Sequence, residues 1–287
     1  MTGISILILT KNEQQDLPGC LESVAWSDDI HLFDSGSTDA TVDIAKQFGA
    51  SITVRTYGGN KQAFGGDEGV HRTWGLRNIA FKHPWVFVID ADERMTPELL
   101  AVIQRAIADP QGNVAFRVRR RDYFLDTWLK HVTPSPFNIR LFRPSFIRYE
   151  RLTNPVTVVD GTIGEIADHF NHFPFSKGMS HWIDKHNGYS TLEAGQIVVN
   201  RKAGGTFSIA KALMSKDANE RRFHQKELYY RLPLRPIVMF LLLYVGKRGF
   251  LDGRAGLTYA VLRSIYEYFI VLKTRELEAQ VASPARQ

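Results

Sequence analysis

Residues Trp85-Val86-Phe87-Val88-Ile89 form an unbroken apolar run that ends in Asp90-Ala91-Asp92-Glu93. β-branched and aromatic residues in succession predict a strand buried on both faces. Three carboxylates within four residues cannot stay inside such a strand unpaired. They are expected at the carboxyl edge of a sheet, facing a crevice. Alternation along an extended chain puts Asp90 and Asp92 on the same side, about 7 Å apart. Such a pair suits one hard divalent cation, Mg2+ or Mn2+, that also takes diphosphate oxygens. The plain alternative is an acidic loop capping the next helix, since Thr96-Pro97-Glu98 is itself a helix start.

The chain before this run alternates strands and helices. Ile4–Thr10 is a buried strand followed by the loop Lys11-Asn12-Glu13, and Leu17–Trp26 fits a short helix. A strand over Ile30–Phe33 ends at Asp34-Ser35-Gly36-Ser37-Thr38-Asp39. The helix Thr41–Phe48 follows, with Ser37, Thr38 or Asp39 as its cap and Gly49 closing it. A third strand spans Ser51–Arg55. This spacing implies right-handed crossovers and a mostly parallel sheet, an α/β fold. Tyr57–Gly69 is Gly-rich and expected to be a mobile loop, and Trp74–Phe81 a helix leading into the central strand. Pro97–Ala108 is a further helix, Val114–Arg121 and Asn138–Arg143 are strands, and Val156–Val159 with Thr162–Ile166 reads as a hairpin around Asp160-Gly161. From Lys177 onward the pattern is helical, with breaks at Gly204-Gly205, Pro233, Pro236 and Gly246–Gly256.

Three motifs recur in order at strand ends: ILILTKNE over Ile6–Glu13, FDSGSTDAT over Phe33–Thr41, and VIDADE over Val88–Glu93. As a set they resemble a family 2 glycosyltransferase of the GT-A (Rossmann-like) fold, within it the bacterial lipopolysaccharide-core and exopolysaccharide glycosyltransferases. The resemblance covers roughly residues 3 to 195. It implies a nucleotide-sugar-binding catalytic domain over residues 1–176 and a helical, basic, membrane-associating region over 177–287. The implied donor is a nucleotide sugar, UDP being the family's commonest nucleotide. Asp34 would hold the base or ribose, with Thr10, Asn12 and Glu13 beside it. The family often has a second Asp where this chain has Ser35, which leaves the roles of Asp34 and Asp39 open, and Asp39 also reads as a helix cap. Arg77 and Asn78 match a Lys/Arg-Asn pair that reaches the donor. Asp92 would be the metal ligand, Asp90 would take the ribose or share the ion, and His172 would be a third ligand. Inverting relatives carry a His-Glu pair before a Gly-containing hairpin, and here Asn154-Pro155 stands in its place. Glu150 is then the nearest carboxylate for the base and Asp160 the next. Both have plain alternatives: Glu150 an ion pair with Arg148 or Arg151, Asp160 a turn residue. Histidines cluster at His169, His172 and His181, and no His/Cys spacing resembles a zinc site.

Composition narrows the class. With 287 residues, 44% hydrophobic and 23% charged, this is an ordinary folded chain. A single cysteine, Cys20, allows no internal disulfide and points to the cytosol. No signal peptide is expected, because Lys11-Asn12-Glu13 ends the first apolar stretch, and no run reaches the ~18 residues of a membrane span. The net charge is +6, yet Arg201–Arg254 alone carries twelve Lys/Arg against four Asp/Glu. Within it Pro236–Val245 is the most apolar run, framed by Arg231, Arg235, Lys247 and Arg248 and accompanied by Tyr229, Tyr230 and Tyr244. Apolar residues framed by cations suit a helix lying in an anionic headgroup layer, and the alternative is a core helix or a dimer contact. The expectation is therefore an inverting, metal-dependent sugar transferase on the inner face of the cell membrane. Its acceptor is a lipid-linked or lipopolysaccharide/exopolysaccharide saccharide, with no nucleic-acid partner. The alternatives are a sugar-nucleotide pyrophosphorylase, which wants a Gly-rich basic loop after the first strand, or a nucleic-acid-binding protein using the basic region. The sequence leaves the oligomeric state open.

Overall fold

The computed structural model describes residues 3–56, 68–150, 156–202, 207–215, 218–232 and 234–282. The chain divides into two compact units, Met1–Trp128 with Pro134–Gly178, and Leu129–Thr133 with Met179–Gln287.

The first unit runs β1 (Ile4–Thr10), α1 (Leu17–Val24), β2 (Ile30–Asp34), α2 (Thr41–Gln47), β3 (Ser51–Val54), α3 (Glu68–Asn78) and β4 (Trp85–Asp90). It continues with β5 (Glu93–Arg94), α4 (Pro97–Ala108), β6 (Asn113–Phe124), β7 (Thr127–Trp128), β8 (Phe137–Phe142), β9 (Ile147–Glu150), β10 (Val156–Val159) and β11 (Thr162–His172). Among the described residues the main sheet has the order β3-β2-β1-β4-β8-β6-β11-β5, with β7 added to β6. From β3 to β4 every pairing is parallel. β8 enters antiparallel to both β4 and β6, and β11 pairs parallel with β6. The α/β class thus holds, as a mixed sheet whose parallel half carries the first three motifs.

β4 is buried on both faces, as its composition demands. Trp85, Phe87 and Ile89 join Ile4, Ile6 and Ile8 in one core layer, and Val86 and Val88 join Leu7 and Phe33 in the other. Each such side chain contributes roughly 1.5–3 kcal/mol by leaving water. α4 lies over the first layer through Leu99, Ile103 and Ile107, one helical face, and Thr96 Oγ1 caps it by accepting from the Leu99 N–H at 3.1 Å. α3 lies against Phe33 at Gly75, where an added Cβ would meet Phe33 Cε1 at 2.7 Å. Only a residue without a side chain allows that approach.

Two expectations change. β10 pairs with β9, not β11, so Asp160-Gly161 carries the chain from a two-stranded ribbon to the main sheet and closes no hairpin. Glu68 and Gly69, read as loop, open α3, whose Glu68–Arg72 ion pair spans one helical turn. Tyr57–Asp67, the rest of that loop, lies outside the described residues, as do Arg151–Pro155.

The second unit is helical: α5 (Gly178–Lys202), α6 (Ile209–Met214), α7 (Ala218–Arg231), α8 (Arg235–Leu241), a π-helical turn Leu242–Gly246, a 3-10 turn Gly249–Asp252 and α9 (Gly253–Ala282). Pro236 does not break a helix but sits in the first turn of α8, where its missing N–H costs nothing. Arg235 is buried and its Nη2 lies 2.7 Å from Glu267 Oε2 of α9, under the rings of Tyr229 and Tyr230. These three residues, read as lying at a lipid surface, belong to the unit's interior. The short segment Leu129–Thr133 is fixed by Asp252, whose Oδ2 accepts the N–H groups of His131 and Val132 at 2.9 and 2.8 Å.

Candidate active site

The ends of β1 and β2 are joined through Asp34. Thr10 Oγ1 and Ser37 Oγ donate to its Oδ1 at 3.0 and 2.5 Å, and the N–H groups of Gly36 and Ser37 donate to its Oδ2 at 2.9 and 2.7 Å. Four bonds fill the lone-pair capacity of a carboxylate. Asp34 therefore shapes the turn, with both carboxylate oxygens engaged by protein donors. Asn12 braces the same turn: its Oδ1 accepts from Thr38 N–H at 2.8 Å, and its N–H donates to Ser37 Oγ at 2.8 Å. Asp39 accepts from the Thr41 and Gln14 N–H groups and ties the β1 loop to the start of α2. The N-cap of α2 is Ala40 with no side-chain cap, not Ser37, Thr38 or Asp39 as expected. Alongside, His71 of α3 stacks on Phe33 at 4.1 Å with its Nε2 3.1 Å from Ser35 Oγ. Burial, with Arg55 and Arg72 nearby, lowers its pKa to about 4, so this imidazole is neutral.

At the end of β4 the carboxylates separate. Arg140 Nη2 lies 2.8 Å from Asp90 Oδ2 and 2.5 Å from Glu93 Oε1, and Glu93 Oε2 accepts the Asp90 N–H at 2.9 Å. Burial pushes Asp90 up, but Arg140 and Arg72 overcome it and hold this carboxyl well below the usual range. Burial dominates at Glu93, raising it to about 7 against the pull of Arg140. Asp92 faces a different partner: His172 Nε2 is 3.3 Å from its Oδ2, and His172 Nδ1 is 2.6 Å from Asp122 Oδ1. Burial works against protonation of His172, yet the two carboxylates push its pKa up to about 9. Glu13 meets Lys177 at 2.8 Å, and burial, aided by Asp92 and Asp16, raises it to about 7.

The donor set can be tested against a cation. Ligands at right angles, about 2.1 Å from an octahedral ion, lie about 3 Å apart, close to the Asp92–His172 separation. Asp122 behind Nδ1 is the outer carboxylate that aims a metal-binding imidazole. The described residues hold no group of three His, Cys, Asp or Glu suited to a metal. Two protein ligands plus diphosphate and water oxygens is how Mg2+ or Mn2+ is commonly held. Asp90, turned to Arg140, is outside this set.

The remaining candidates are placed elsewhere. Arg77 donates to the carbonyls of Pro144 and Ile147 at 2.5 and 2.8 Å, fastening β9 to α3, and Asn78 Nδ2 donates to the Trp74 carbonyl one turn back. Glu150 is exposed and paired to Arg148 at 3.0 Å, while its neighbour Tyr149 turns inward beside Arg72. Asp160 is exposed, its N–H donating to the Phe146 carbonyl at 2.8 Å. Neither carboxylate reaches the Asp90–Asp92–His172 cluster by a hydrogen bond or ion pair. Sequence reading passed over Arg140 and Asp122. Arg140 had a signal, a lone cation inside the apolar run FNIRLF, which calls for a buried partner.

A family description, glycosyl transferase family 2, matches residues 5–166. The chain belongs to glycosyltransferase family 2. The matched span covers the ends of β1, β2 and β4 and stops short of His172 at the end of β11. Among characterised glycosyltransferases it is 27% identical to the lipopolysaccharide core biosynthesis glycosyltransferase LpsC of Rhizobium meliloti, over 98% of this chain and 95% of that protein. Among solved structures it is similar to S. aureus TarS residues 1–349, at 14% identity and TM-score 0.43, covering 99% of this chain and 92% of that one. A second is glucosyl-3-phosphoglycerate synthase from Mycobacterium tuberculosis in complex with Mn2+ and UDP-glucose, at 19% identity and TM-score 0.34, covering 42% and 44% of the two chains.

Proposed function

We propose that this family 2 glycosyltransferase moves a sugar, with inversion, from a UDP-sugar to a lipid-linked or lipopolysaccharide/exopolysaccharide acceptor. The observation that carries the reading is the Asp92–His172 pair, backed by Asp122, at the carboxyl end of the central strand. These two side chains would hold Mg2+ or Mn2+. When bound, such an ion neutralises charge developing on the leaving diphosphate. Arg140 fixes Asp90 as a carboxylate beside the ion's position, oriented for a sugar or ribose hydroxyl. The Asp34 turn and neutral His71 shape the floor at the nucleotide end, with Phe33 and Trp74 behind them. The kinship with LpsC favours a lipopolysaccharide core saccharide as acceptor.

Membrane attachment belongs to the same reading. Ile237, Leu241, Leu242 and Val245 of α8 and its π turn are all about half exposed, as are Phe250 and Leu251 of the next turn. α9 carries a second outward row, Leu257, Val261, Ile265, Tyr268 and Leu272, at helical spacing. Lys247, Arg248 and Arg254, all exposed, lie between the two rows in the sequence. Exposed apolar residues accompanied by cations suit the headgroup region of an anionic leaflet. No helix among the described residues is long and apolar enough alone to cross a bilayer.

The deciding experiment is a donor screen: thermal shift with UDP-, GDP- and TDP-sugars, with and without Mn2+. The reading expects metal-dependent stabilisation by one nucleotide-sugar class. A chain indifferent to all of them with metal present would overturn it.

A further inference from the structure

β6 runs Asn113-Val-Ala-Phe-Arg-Val-Arg-Arg-Arg-Asp-Tyr-Phe124, and alternation puts Arg117, Arg119 and Arg121 on one face. That face is identifiable. Arg117 pairs across to Ile139 of β8, and Ile139 packs in the layer of Val88, which shares a side of β4 with Asp90. The arginine row thus lies on the Asp90 side of the sheet, two strands beyond it through β8, about 10 Å away. The nucleotide-end groups, Thr10 and Asp34, lie on β1 and β2, on the opposite flank of β4. A donor bound at that end leaves the β8–β6–β11 flank to the acceptor.

The three arginines are not equivalent. Arg117 has a carboxylate, Glu165 of β11, held through its Nε and Nη2 at 3.0 and 2.7 Å. Among the described residues, Arg119 and Arg121 have no acidic partner. Arg119 lies over the Phe137 ring at 4.6 Å and Arg121 over Trp128 at 4.4 Å, and the Nε of each is buried without a hydrogen-bond acceptor. Across the ladder from them stand His169 and Asn171 of β11. His169 Nδ1 and Asn171 Oδ1 are likewise buried without a hydrogen bond, the Asp168 carboxylate lying 3.7 Å from that Nδ1. Burial and these two cations depress the pKa of His169, which adds no positive charge of its own. Two half-buried guanidiniums over aromatic rings, without an acidic partner among the described residues, are suited to an oxyanion, which a guanidinium can hold in bidentate fashion.

We propose that the Arg119–Arg121 face binds the phosphate group of a phosphorylated saccharide acceptor. This rests on the transferase reading and names the chemistry of its acceptor: a sugar whose reacting hydroxyl reaches the Asp90 region while a phosphate further along the molecule is held two strands away. His169 and Asn171 offer hydrogen bonds to the ring hydroxyls or the phosphate.

The test is calorimetric titration of the full chain with glucose 6-phosphate, inorganic phosphate and methyl glucoside, without and with UDP and Mn2+. Glucose 6-phosphate is expected to bind in both conditions, more tightly than inorganic phosphate, and methyl glucoside not to bind. R119Q/R121Q should weaken glucose 6-phosphate by about tenfold or more, the worth of one charge-assisted contact. R117Q, whose charge Glu165 already neutralises, should not change it. Each single variant, R119Q or R121Q, gives the same comparison if the double variant does not fold. Unchanged affinity in these variants, no binding by the wild type at millimolar concentration, or binding displaced wholly by UDP would overturn the proposal. Inorganic phosphate bound as tightly as the sugar phosphate would overturn its saccharide part. The transferase reading fails separately, by absence of UDP binding with Mn2+, which these variants are expected to leave at the wild-type level.

Discussion

The Nη2 atom of Arg140 lies 2.8 Å from Asp90 Oδ2 inside the sheet, and the same nitrogen holds Glu93 at 2.5 Å. One cation thus serves two carboxylates, of which Glu93 is almost wholly buried. Removing one partner of such a group leaves charge stranded in a poor solvent, at a cost of about 3–5 kcal/mol. Arg140→Met should therefore lower stability by that order in urea unfolding, and R140K, which cannot reproduce the fork, should recover only part. A variant as stable as the wild type would show that water, not Arg140, solvates Asp90 and Glu93.

The metal reading makes graded demands. Asp92→Asn should abolish Mn2+ binding and sugar transfer while the melting temperature stays near wild type. Asp122→Asn acts one step back, through the orientation of His172, and should weaken Mn2+ by about 10–100-fold. Equal Mn2+ affinity in wild type and D92N, followed by electron paramagnetic resonance, would remove the pair from any metal site.

Glu150 is exposed and paired with Arg148, so Glu150→Gln is expected to leave turnover within tenfold of wild type. Loss of a true general base costs about 10²-fold or more. A fall of that size with unchanged donor binding would return Glu150 to the mechanism, and the same comparison with Asp160→Asn covers the other candidate.

Acid should loosen the fold through two imidazoles. His71 and His186 ordinarily titrate at 6.5, and burial lowers each to about 4 in the folded chain. Below 6.5 the unfolded chain takes up protons that the folded chain refuses. Their contribution is therefore complete above pH 6.5, declines as pH falls from 6.5 to 4, and changes no further below that. Glu13 and Glu93, which burial raises to about 7, act in the opposite sense over nearly the same window. The imidazole contribution is therefore read as a difference: between pH 6.5 and 4 the wild type should lose more melting temperature than H71Q. The same pH dependence in wild type and H71Q, or NMR titration of His71 near 6.5, would contradict the buried neutral imidazole.

Sedimentation with vesicles tests attachment. The protein should pellet with anionic liposomes, less at high salt but not wholly released, since the cationic part is screened and the apolar part is not. L241E/L242E changes two outward side chains and should release it with fold and Mn2+ binding intact. Wild-type protein left in the supernatant at low salt would assign both outward rows to a protein partner.

The parallel half of the sheet was legible because its strands are apolar on both faces, so Ile4–Thr10 and Trp85–Asp90 had few other ways to fold. The second half was not. β10 and β11 flank Asp160-Gly161 as a hairpin would, yet pairing is settled by partners far away in sequence, Ile147–Glu150 for one and Asn113–Asp122 for the other. The site was half legible for a similar reason. Asp92 and His172 announce themselves by type, whereas the saturation of Asp34 depends on the hydroxyls of Thr10 and Ser37 folding over it. Arg235 looked like a headgroup anchor until Glu267, 32 residues on, took it inside.

Five residues encoded between β7 and β8, Leu129–Thr133, belong to the helical unit. Leu129 and Val132 are fully buried in the helical unit, and the amides of His131 and Val132 end on Asp252. A gene truncated after residue 178 would still encode this segment but not the carboxylate and helices that receive it, and the fragment would carry bare leucine and valine on a loop. A helical half expressed alone would have a matching gap beside Gly249. The two halves are therefore poor candidates for separate expression or domain exchange. A chimaera between relatives has to carry residues 129–133 along with the helices, although they are encoded inside the catalytic half.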